Sequence, residues 1–390
     1  MLRIRCIKLE NKQCPLYRKC GGCQLQNMDY ARQLEWKQNR TRKLLGKFGK
    51  IEPILGMKNP YYYRNKVQAA FAQDRRGNIV SGVYQSSTHR VVPVKSCLTE
   101  DQTADKIMAT VRQLLKSFKL HPYDERTERG FLRHVLVKRG FQSGQVMVVL
   151  VVSNSIFPAK KFTAALCQKH PEITTVLLNI NRHHTSMVLG EQEKVLYGPG
   201  YIEDTLCGCR FRISAKSFYQ INPVQCEVLY SKAMEYAQLT GKESVIDAYC
   251  GIGTIGMVAA KKAGQVLGIE LNRDAVRDAA ANARQNGLHN IHFVCADATD
   301  YLTEMTEEGI RPDVVFMDPP RAGSTERFLL SLSELAPQRV VYISCNPETQ
   351  ARDLQYLCEL GYAVQKIQPV DMFPHTNHVE TVVLMSRVRD

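Results

Sequence analysis

Long apolar segments are missing from this 390-residue sequence. The longest uninterrupted apolar run, Val146–Val152, is far shorter than the roughly 20 residues that a membrane-spanning helix requires. Residues 1–8 lack the apolar core of a signal peptide, and no internal repeat or low-complexity segment is visible. These absences argue against a membrane protein, a secreted protein and a repeat array. We expect a cytoplasmic monomer that does not associate with a membrane.

The composition is that of a globular protein with many cysteines. Hydrophobic residues make up 44% of the chain and charged residues 23%, and 390 residues are enough for two domains with separate cores. The chain contains 13 cysteines. Because disulfides are rare in the cytoplasm, these cysteines are interpreted as free thiols, metal ligands or a nucleophile.

Positive charge is concentrated in the first half of the chain. Residues 1–213 contain 36 Lys and Arg against 16 Asp and Glu, whereas residues 214–390 contain 16 against 22. Lysine and arginine could serve solubility alone, but an excess of this size is more than solubility requires. The distribution favours a module that binds a polyanion, joined to a catalytic module.

The pattern of predicted elements changes near residue 212. Residues 1–212 begin with a cysteine-rich stretch and a helix over 30–47 that Asp29 can cap and that could pack on the second domain. Short β runs then predict an α+β domain rich in antiparallel pairs, whereas alternating strands and helices in residues 213–390 predict a doubly wound, Rossmann-like α/β domain. The predicted strands are 67–71, 91–94, 135–137, 146–152, 175–179 and 194–197, then 244–248, 265–270, 291–296, 313–318, 339–344, 363–370 and 381–386.

A glycine-rich turn after the first strand of the second domain predicts a nucleotide cofactor site. Gly251 and Gly253 let the backbone approach a ligand closely. Asp247 suits a methionine amino group or the ordering of the loop, Glu270 suits a ribose diol, and Asp297 suits an adenine edge. Acidic residues at three strand ends favour S-adenosylmethionine over NAD; the alternative is a tight turn with ordinary acidic caps.

Two further strand ends carry reactive side chains. Asp318 is followed by two prolines that stiffen its loop, and Cys345 lies between a strand and a helix. Because a helix amino terminus lowers a cysteine pKa, we expect Cys345 to be a thiolate nucleophile. The alternative for a single cysteine is a small buried apolar residue. Glu380 opens the last strand and is a candidate base.

Together, these residues resemble the RNA uridine C5-methyltransferase family over nearly the whole chain. The resemblance implies that Cys345 is the nucleophile and Glu380 the base. It also implies that S-adenosylmethionine contacts Gln220, Tyr249, Glu270 and Asp318, with Asp297 on the adenine side. The motifs that carry it are SFYQIN (217–222), DAYCGIGT (247–254), DPPR (318–321), SCNP (344–347) and HVE (378–380).

Four other cysteines predict a metal centre. Cys14, Cys20 and Cys23 follow the pattern C-x5-C-x2-C, and Cys97 comes after a later strand. Four thiolates suit zinc or an iron–sulfur cluster, and the spacing does not decide between them. Members of the resembled family that act on ribosomal RNA carry a [4Fe–4S] cluster on this pattern, which implies such a cluster here. The pair of cysteines at 207 and 209 is the competing ligand pair.

The expected substrate is a flipped-out uridine of 23S ribosomal RNA. Tyrosines and bases in residues 59–68 are suited to stacking on splayed RNA. Many family members begin with a small RNA-binding barrel; the 13 residues before Cys14 leave no room for one, so we expect RNA affinity to come from the basic domain. The alternatives are methylation of transfer RNA, methylation of cytosine, which the SCNP motif suits poorly, and a non-catalytic assembly factor, against which Cys345 and Glu380 argue.

Overall fold

The computed structural model describes residues 12–85, 88, 90–183 and 187–388. Residues 1–8, which carry the expectation about a signal peptide, lie outside the described residues. Two seven-stranded sheets and one two-stranded sheet form the fold. Within the described residues, no helix is both long and apolar enough to cross a membrane.

The first sheet is mainly antiparallel and has the order β3-β2-β1-β4-β5-β6-β7, in which only β5 and β6 pair in parallel. This agrees with the predicted α+β pattern. Its strands are β1 (Lys66–Gln73), β2 (Ile79–Tyr84), β3 (Val91–Pro93), β4 (Leu132–Arg139), β5 (Val146–Val152), β6 (Ile173–Ile180) and β7 (Gln192–Tyr197). The helices up to this point are α1 (Tyr17–Cys20), α2 (Tyr30–Leu45), α3 (Gln102–Ser117) and α4 (Ala159–Lys169).

Strand β5 is buried along its whole length because both faces of the sheet are covered. One face packs against α3 and α4 through residues such as Val148 and Leu150. The other face, with Met147 and Val149, packs against elements that follow residue 201, including Phe211. A strand that is covered on both faces consists of consecutive apolar residues. This explains why β5 coincides with the longest apolar run in the sequence.

Strand β2 was not among the predicted strands, although it pairs with both β1 and β3. Glycine interrupts its apolar pattern at position 82, which weakens the sequence signal. The structure needs glycine there, because a Cβ atom would lie 1.9 Å from the carbonyl oxygen of Val92. The hairpin β8 (Ile202–Leu206) and β9 (Cys209–Ile213) was also missed.

The second sheet has the order β12-β11-β10-β13-β14-β16-β15, and its pairs are parallel except for the two that β16 forms with β14 and β15. The mixed α/β fold confirms the expected methyltransferase-like architecture at this level. The strands are β10 (Ser244–Ala248), β11 (Gln265–Glu270), β12 (Ile291–Cys295), β13 (Val314–Met317), β14 (Arg339–Ser344), β15 (Tyr362–Val370) and β16 (Glu380–Arg387). The helices are α5 (Pro223–Ala237), α6 (Thr254–Ala260), α7 (Arg273–Gln285), α8 (Ala298–Glu307), α9 (Glu326–Leu335) and α10 (Pro347–Glu359).

Helices cover both faces of this sheet, and one of them comes from the amino-terminal part of the chain. Helices α5, α6 and α7 pack on one face, and α8, α9 and α10 pack on the other. Leu45 of α2 shares the core of that second face with Ile246 of β10. As predicted, Asp29 caps α2 by accepting a hydrogen bond from the Arg32 amide. Residues 51–55 then run beside β15.

Candidate active site

The glycine-rich turn after β10 is fixed by two acidic side chains. Asp247 Oδ2 accepts a hydrogen bond of 2.6 Å from the Gly256 amide in the first turn of α6. Glu270 joins the turn to β11, because its two carboxylate oxygens accept bonds from the amides of Gly251 (3.0 Å) and Asn272 (2.8 Å). Of the two roles that the sequence left open for Asp247, the structure displays the ordering of the loop. The second oxygen, Oδ1, is buried without a hydrogen-bond partner.

Of the other predicted cofactor residues, Tyr249 follows β10, Asp297 follows β12 and Gln220 precedes α5. Tyr249 adopts a positive φ of 65° and its ring lies 5.1 Å from that of Phe328. Gln220 is buried, and its backbone carbonyl oxygen accepts a hydrogen bond from Asn65 Nδ2. Asp297 caps α8 by accepting bonds from the amides of Thr299 and Asp300. An Asp297 oxygen that caps a helix has less capacity to contact a ligand.

Cys345, Glu380 and Asp318 meet where three strands of the second sheet end. Strand β14 ends at Ser344, which lies opposite Thr381 of the antiparallel β16. Continuing that register by one residue places Cys345 opposite Glu380. Asp318 directly follows β13, the other neighbour of β14. Each of the three groups therefore lies within reach of the charges of the other two.

The pKa values of the acids in this region are shifted mainly by burial and, for Glu380, also by the nearby Asp318. Burial raises the pKa of Asp318 to about 7. Burial raises the pKa of Glu380 well above its ordinary value, and the Asp318 carboxylate raises it further. Asp247 has a pKa raised to about 8, mainly by burial and then by its acidic neighbours. Such a concentration of strongly perturbed acids in one place is typical of a functional site.

The expected lowering of the Cys345 pKa is wrong. Burial and the carboxyl groups of Glu380 and Asp318 raise the pKa of this thiol to about 11. Arg321 opposes the shift but does not cancel it. The cap of α10 is Asn346, whose side chain accepts a bond from the Glu348 amide. The helix terminus is thus already partly satisfied, and burial together with the two acids outweighs its effect on the thiol.

Arg321 and His378 complete the exposed side of this site, and no role was predicted for either from the sequence. Arg321 Nη2 lies 3.1 Å from His378 Nδ1. Burial, followed by the charge of Arg321, lowers the pKa of His378 to about 4. The imidazole is therefore neutral at pH 7 and accepts a hydrogen bond from the guanidinium. Both residues lie within quoted motifs, which was the available signal for them.

The four predicted metal ligands lie near one another. Burial raises the pKa of the Cys23 thiol to about 12, and the thiols at positions 97, 20 and 14 all act on it electrostatically. Cys97 comes close to this group from the loop before α3. Within the described residues, however, no three Cys, His, Asp or Glu side chains are arranged to hold a metal ion. Cys209, from the competing pair, is buried in the core beside α6.

Two of the three tyrosines in residues 59–68 do not contribute to the exposed stacking surface that the sequence favoured, whereas Tyr62 is half-buried. Tyr61 and Tyr63 are buried. The Tyr61 ring stacks on His375 with 5.0 Å between centroids, and the Tyr63 hydroxyl donates to the carbonyl of Pro374. These two rings therefore support the loop that leads to Glu380.

A mainly parallel sheet with a glycine-rich turn at its first strand end and acids at the following ends is typical of an S-adenosylmethionine-dependent methyltransferase. The profile of the family described as tRNA (Uracil-5-)-methyltransferase matches residues 29–388. The chain belongs to this family. It is an S-adenosylmethionine-dependent RNA methyltransferase that acts on carbon 5 of uracil.

Individual relatives agree with this assignment. Uncharacterized RNA methyltransferases of Bacillus cereus and Clostridium tetani are each 42% identical to this chain, over 385 and 382 residues. These matches cover 97% of this chain and 84% and 83% of theirs. The structure of Pyrococcus abyssi tRNA (uracil-54, C5)-methyltransferase in complex with S-adenosyl-L-homocysteine matches with a TM-score of 0.79 and 27% identity. That match covers 93% of this chain and 85% of that chain.

Proposed function

We propose that this enzyme methylates a uridine of 23S ribosomal RNA, with Cys345 as the nucleophile and Glu380 as the base. The observation that carries the proposal is the register between β14 and β16, which supports placing Cys345 opposite Glu380. Asp318 at the adjoining strand end supplies a second carboxyl group to the same site. A nucleophile and a base that face one another are what a covalent mechanism requires.

Carbon 5 of uracil is too weakly nucleophilic to accept a methyl group directly. In the proposed mechanism the Cys345 thiolate adds to C6 and forms a C–S bond, which makes C5 enolate-like. C5 then takes the methyl group. Glu380 removes the remaining C5 proton, the electron pair of that C–H bond restores the C5–C6 double bond, and the thiolate leaves.

The residues around the glycine-rich turn fit S-adenosylmethionine. When bound, it supplies an electrophilic methyl group and a positive charge. We assign its binding to Gln220, Tyr249, Glu270 and Asp318, with Asp297 on the adenine side. The buried Asp247 Oδ1 without a partner supports a bound polar ligand nearby, since unsatisfied buried oxygens are uncommon in native proteins.

The raised pKa values support the roles of the two acids. A positive charge beside Asp318 and Glu380 favours their ionised forms. Once ionised, Glu380 is a stronger proton acceptor than an ordinary carboxylate, because burial disfavours its charge. Arg321, held by the neutral His378, is positioned to balance the charge of the Cys345 thiolate.

We further propose that residues 1–212 form the RNA-binding domain and residues 213–390 the catalytic domain. The positive charge of the first part supports this division. We propose a [4Fe–4S] cluster on Cys14, Cys20, Cys23 and Cys97. The support from the structure is that the thiols of Cys97, Cys20 and Cys14 all lie close enough to act electrostatically on the thiol of Cys23, and four cysteine thiolates are the usual ligands of such a cluster.

The cysteine pattern is what favours ribosomal RNA as the substrate. Transfer RNA is the second candidate, because the Pyrococcus abyssi enzyme of similar fold is a tRNA (uracil-54, C5)-methyltransferase. A covalent trapping experiment discriminates between these substrates and tests both residue assignments. Fluorine at C5 cannot leave as a proton, so RNA carrying 5-fluorouridine should remain bound to the enzyme after methyl transfer.

We expect the wild-type enzyme to form a denaturant-resistant adduct with 5-fluorouridine transcripts of 23S ribosomal RNA fragments but not of transfer RNA. Cys345→Ala should form no adduct. Glu380→Gln should transfer the methyl group and accumulate an adduct with ordinary RNA, because elimination lacks its base. An adduct in Cys345→Ala would show that Cys345 is not the nucleophile. Adducts formed only with transfer RNA would show that transfer RNA, and not 23S ribosomal RNA, is the substrate.

A further inference from the structure

The loop of residues 371–378, between β15 and β16, leads directly into Glu380, and many of its anchors come from a distant part of the sequence. Residues 24–63 donate or accept bonds along most of its length. At one end, Lys37 Nζ donates to Asp371 Oδ1 (2.5 Å) and to the carbonyl of Phe373 (2.9 Å). At the other end, the Asn377 amide donates to Gln24 Oε1 (3.3 Å).

The anchor at the start of the loop is a buried ion pair. Lys37 and Asp371 are both fully buried. The hydroxyl of Tyr30 donates to the other oxygen of Asp371 (2.7 Å) and accepts a bond from the Met57 amide (2.8 Å). A buried charge that lost its partner would be strongly disfavoured. The first residue of the loop is therefore fixed to α2.

His375 is the central anchor of the loop, and it is held in an unfavourable backbone conformation. Its φ is 71°, in the left-handed region that few residues other than glycine adopt. Its amide donates to Gln33 Oε1 (2.9 Å), and its carbonyl accepts from the Leu25 amide (2.9 Å). Residues in such conformations persist only where their surroundings fix them, and they cluster at functional sites.

Both ring nitrogens of His375 have hydrogen-bond partners. Burial lowers the pKa of His375 to about 4, so the ring is neutral. Nε2 lies 3.0 Å from the carbonyl of Pro60, which can only accept, so Nε2 carries the proton. Nδ1 then accepts from Gln33 Nε2 at 3.1 Å. The single side chain of Gln33 thus holds both the backbone and the ring of His375.

We propose that residues 24–63 set the position of Glu380 through this loop, and that Gln33 and His375 are positioning residues for removal of the C5 proton. The inference rests on the proposed role of Glu380 as the base. Cys345 and the glycine-rich turn are attached to other strand ends. The loop reaches the Cys345 side through His378, which bonds to Arg321, whereas Gln33 bonds to His375 and to the carbonyl of Met28. Loosening the loop should therefore slow the release of product far more than the formation of the methylated adduct.

Helix α2 offers a matched pair of variants. Gln33→Met removes the bonds to His375 with little change in volume. Gln38→Met is the control, because Gln38 lies on the same helix, is also buried, and bonds to backbone atoms of Glu52 and Ile54 instead of the loop. Both variants should lose stability, and only Gln33→Met should affect the base.

The measurement is a single-turnover reaction with ordinary RNA and labelled S-adenosylmethionine, followed by denaturing gels. For Gln33→Met we expect methyl transfer near the wild-type rate and resolution of the adduct slowed about 10- to 100-fold, as a displacement on the order of 1 Å can produce. The methylated adduct should then accumulate. Gln38→Met should resolve its adduct normally.

Two results would overturn the inference. The first is that Gln33→Met resolves its adduct at the wild-type rate. The second is that Gln33→Met slows methyl transfer and resolution of the adduct in the same proportion. Tyr63→Phe, which removes the hydroxyl that bonds to Pro374 and to Arg64, repeats the test if Gln33→Met does not fold. Glu380→Gln separates the two hypotheses: if it accumulates adduct and the loop variants do not, the base stands and the positioning role fails.

Discussion

Cys345, the proposed nucleophile, should react slowly with alkylating agents until a positive charge enters the site. Its pKa of about 11 leaves on the order of one thiol in 10,000 ionised at pH 7. The perturbation to apply is a change of bound ligand from S-adenosylhomocysteine to S-adenosylmethionine. These two molecules shield the thiol alike and differ by a methyl group and one positive charge. Their comparison isolates the electrostatic effect.

The expected magnitude follows from the charge difference. A unit charge assumed to lie about 6 Å from the thiol, at an effective dielectric constant of about 20, contributes about 3 kcal/mol, or about two pKa units. Because the intrinsic nucleophilicity of a thiolate falls with its pKa, roughly half of this gain is lost. S-adenosylmethionine should therefore accelerate alkylation of Cys345 about 10-fold relative to S-adenosylhomocysteine.

The assay is alkylation by iodoacetamide at pH 7 without RNA, with the Cys345 peptide quantified by mass spectrometry. Cys167 on α4, a helix that packs against the first sheet, is the internal control. Its alkylation rate should be the same with either ligand. The reasoning would be refuted by equal rates at Cys345 with the two ligands. A free protein whose Cys345 alkylation has its midpoint near pH 7 would refute the assigned pKa shift.

Two further predictions concern the amino-terminal part of the chain. Protein purified without oxygen should contain about four iron atoms per chain, and stoichiometric zinc without iron would contradict the cluster. Cys97→Ser should lose the iron and the RNA affinity but keep most S-adenosylmethionine binding. The control variant, Cys207→Ser, should retain the iron. Lys37→Met should lower the free energy of unfolding in urea by about 3–5 kcal/mol, because it leaves Asp371 charged and buried. The double variant Lys37→Met/Asp371→Leu should recover part of that loss, and a double variant as unstable as the single one would argue against the buried pair as its cause.

Local signals in the sequence were sufficient for most of the fold. The limits of β5, β10, β11 and β14 were predicted to the residue, because each is an apolar run of strand length bounded by polar residues or turns. The cap at Asp29 was also correct. Strand β2 and the β8–β9 hairpin were missed because their pattern is broken by glycine or alternates with charged residues. Pairing with neighbouring strands, which is not encoded locally, makes them strands.

The burial of the tyrosines near residue 61 depended on contacts that the sequence could not reveal. Aromatic rings among basic residues are suited to RNA stacking, and the same composition serves a packed junction equally well. Tyr61 and Tyr63 became buried because His375 and Pro374 arrive from more than 300 residues further along the chain. Composition alone does not distinguish an exposed ring that can stack on an RNA base from a ring that is buried by the rest of the protein.

The sign of the Cys345 pKa shift illustrates the same limit at the proposed catalytic centre. A cysteine before a helix predicts a lowered pKa from its nearest neighbours in sequence. Strand β16 enters the sheet between β14 and β15 and runs antiparallel to both, so its first residue, Glu380, arrives beside the end of β14. Burial of the thiol, followed by the carboxyl groups of Glu380 and Asp318, reverses the shift. The thiolate is the reactive form of cysteine. While no positive charge is bound, the site keeps the thiol of Cys345 protonated, and this protects the half-buried cysteine from side reactions. The raised pKa is therefore compatible with a nucleophile that is activated only when the site is charged by its ligand.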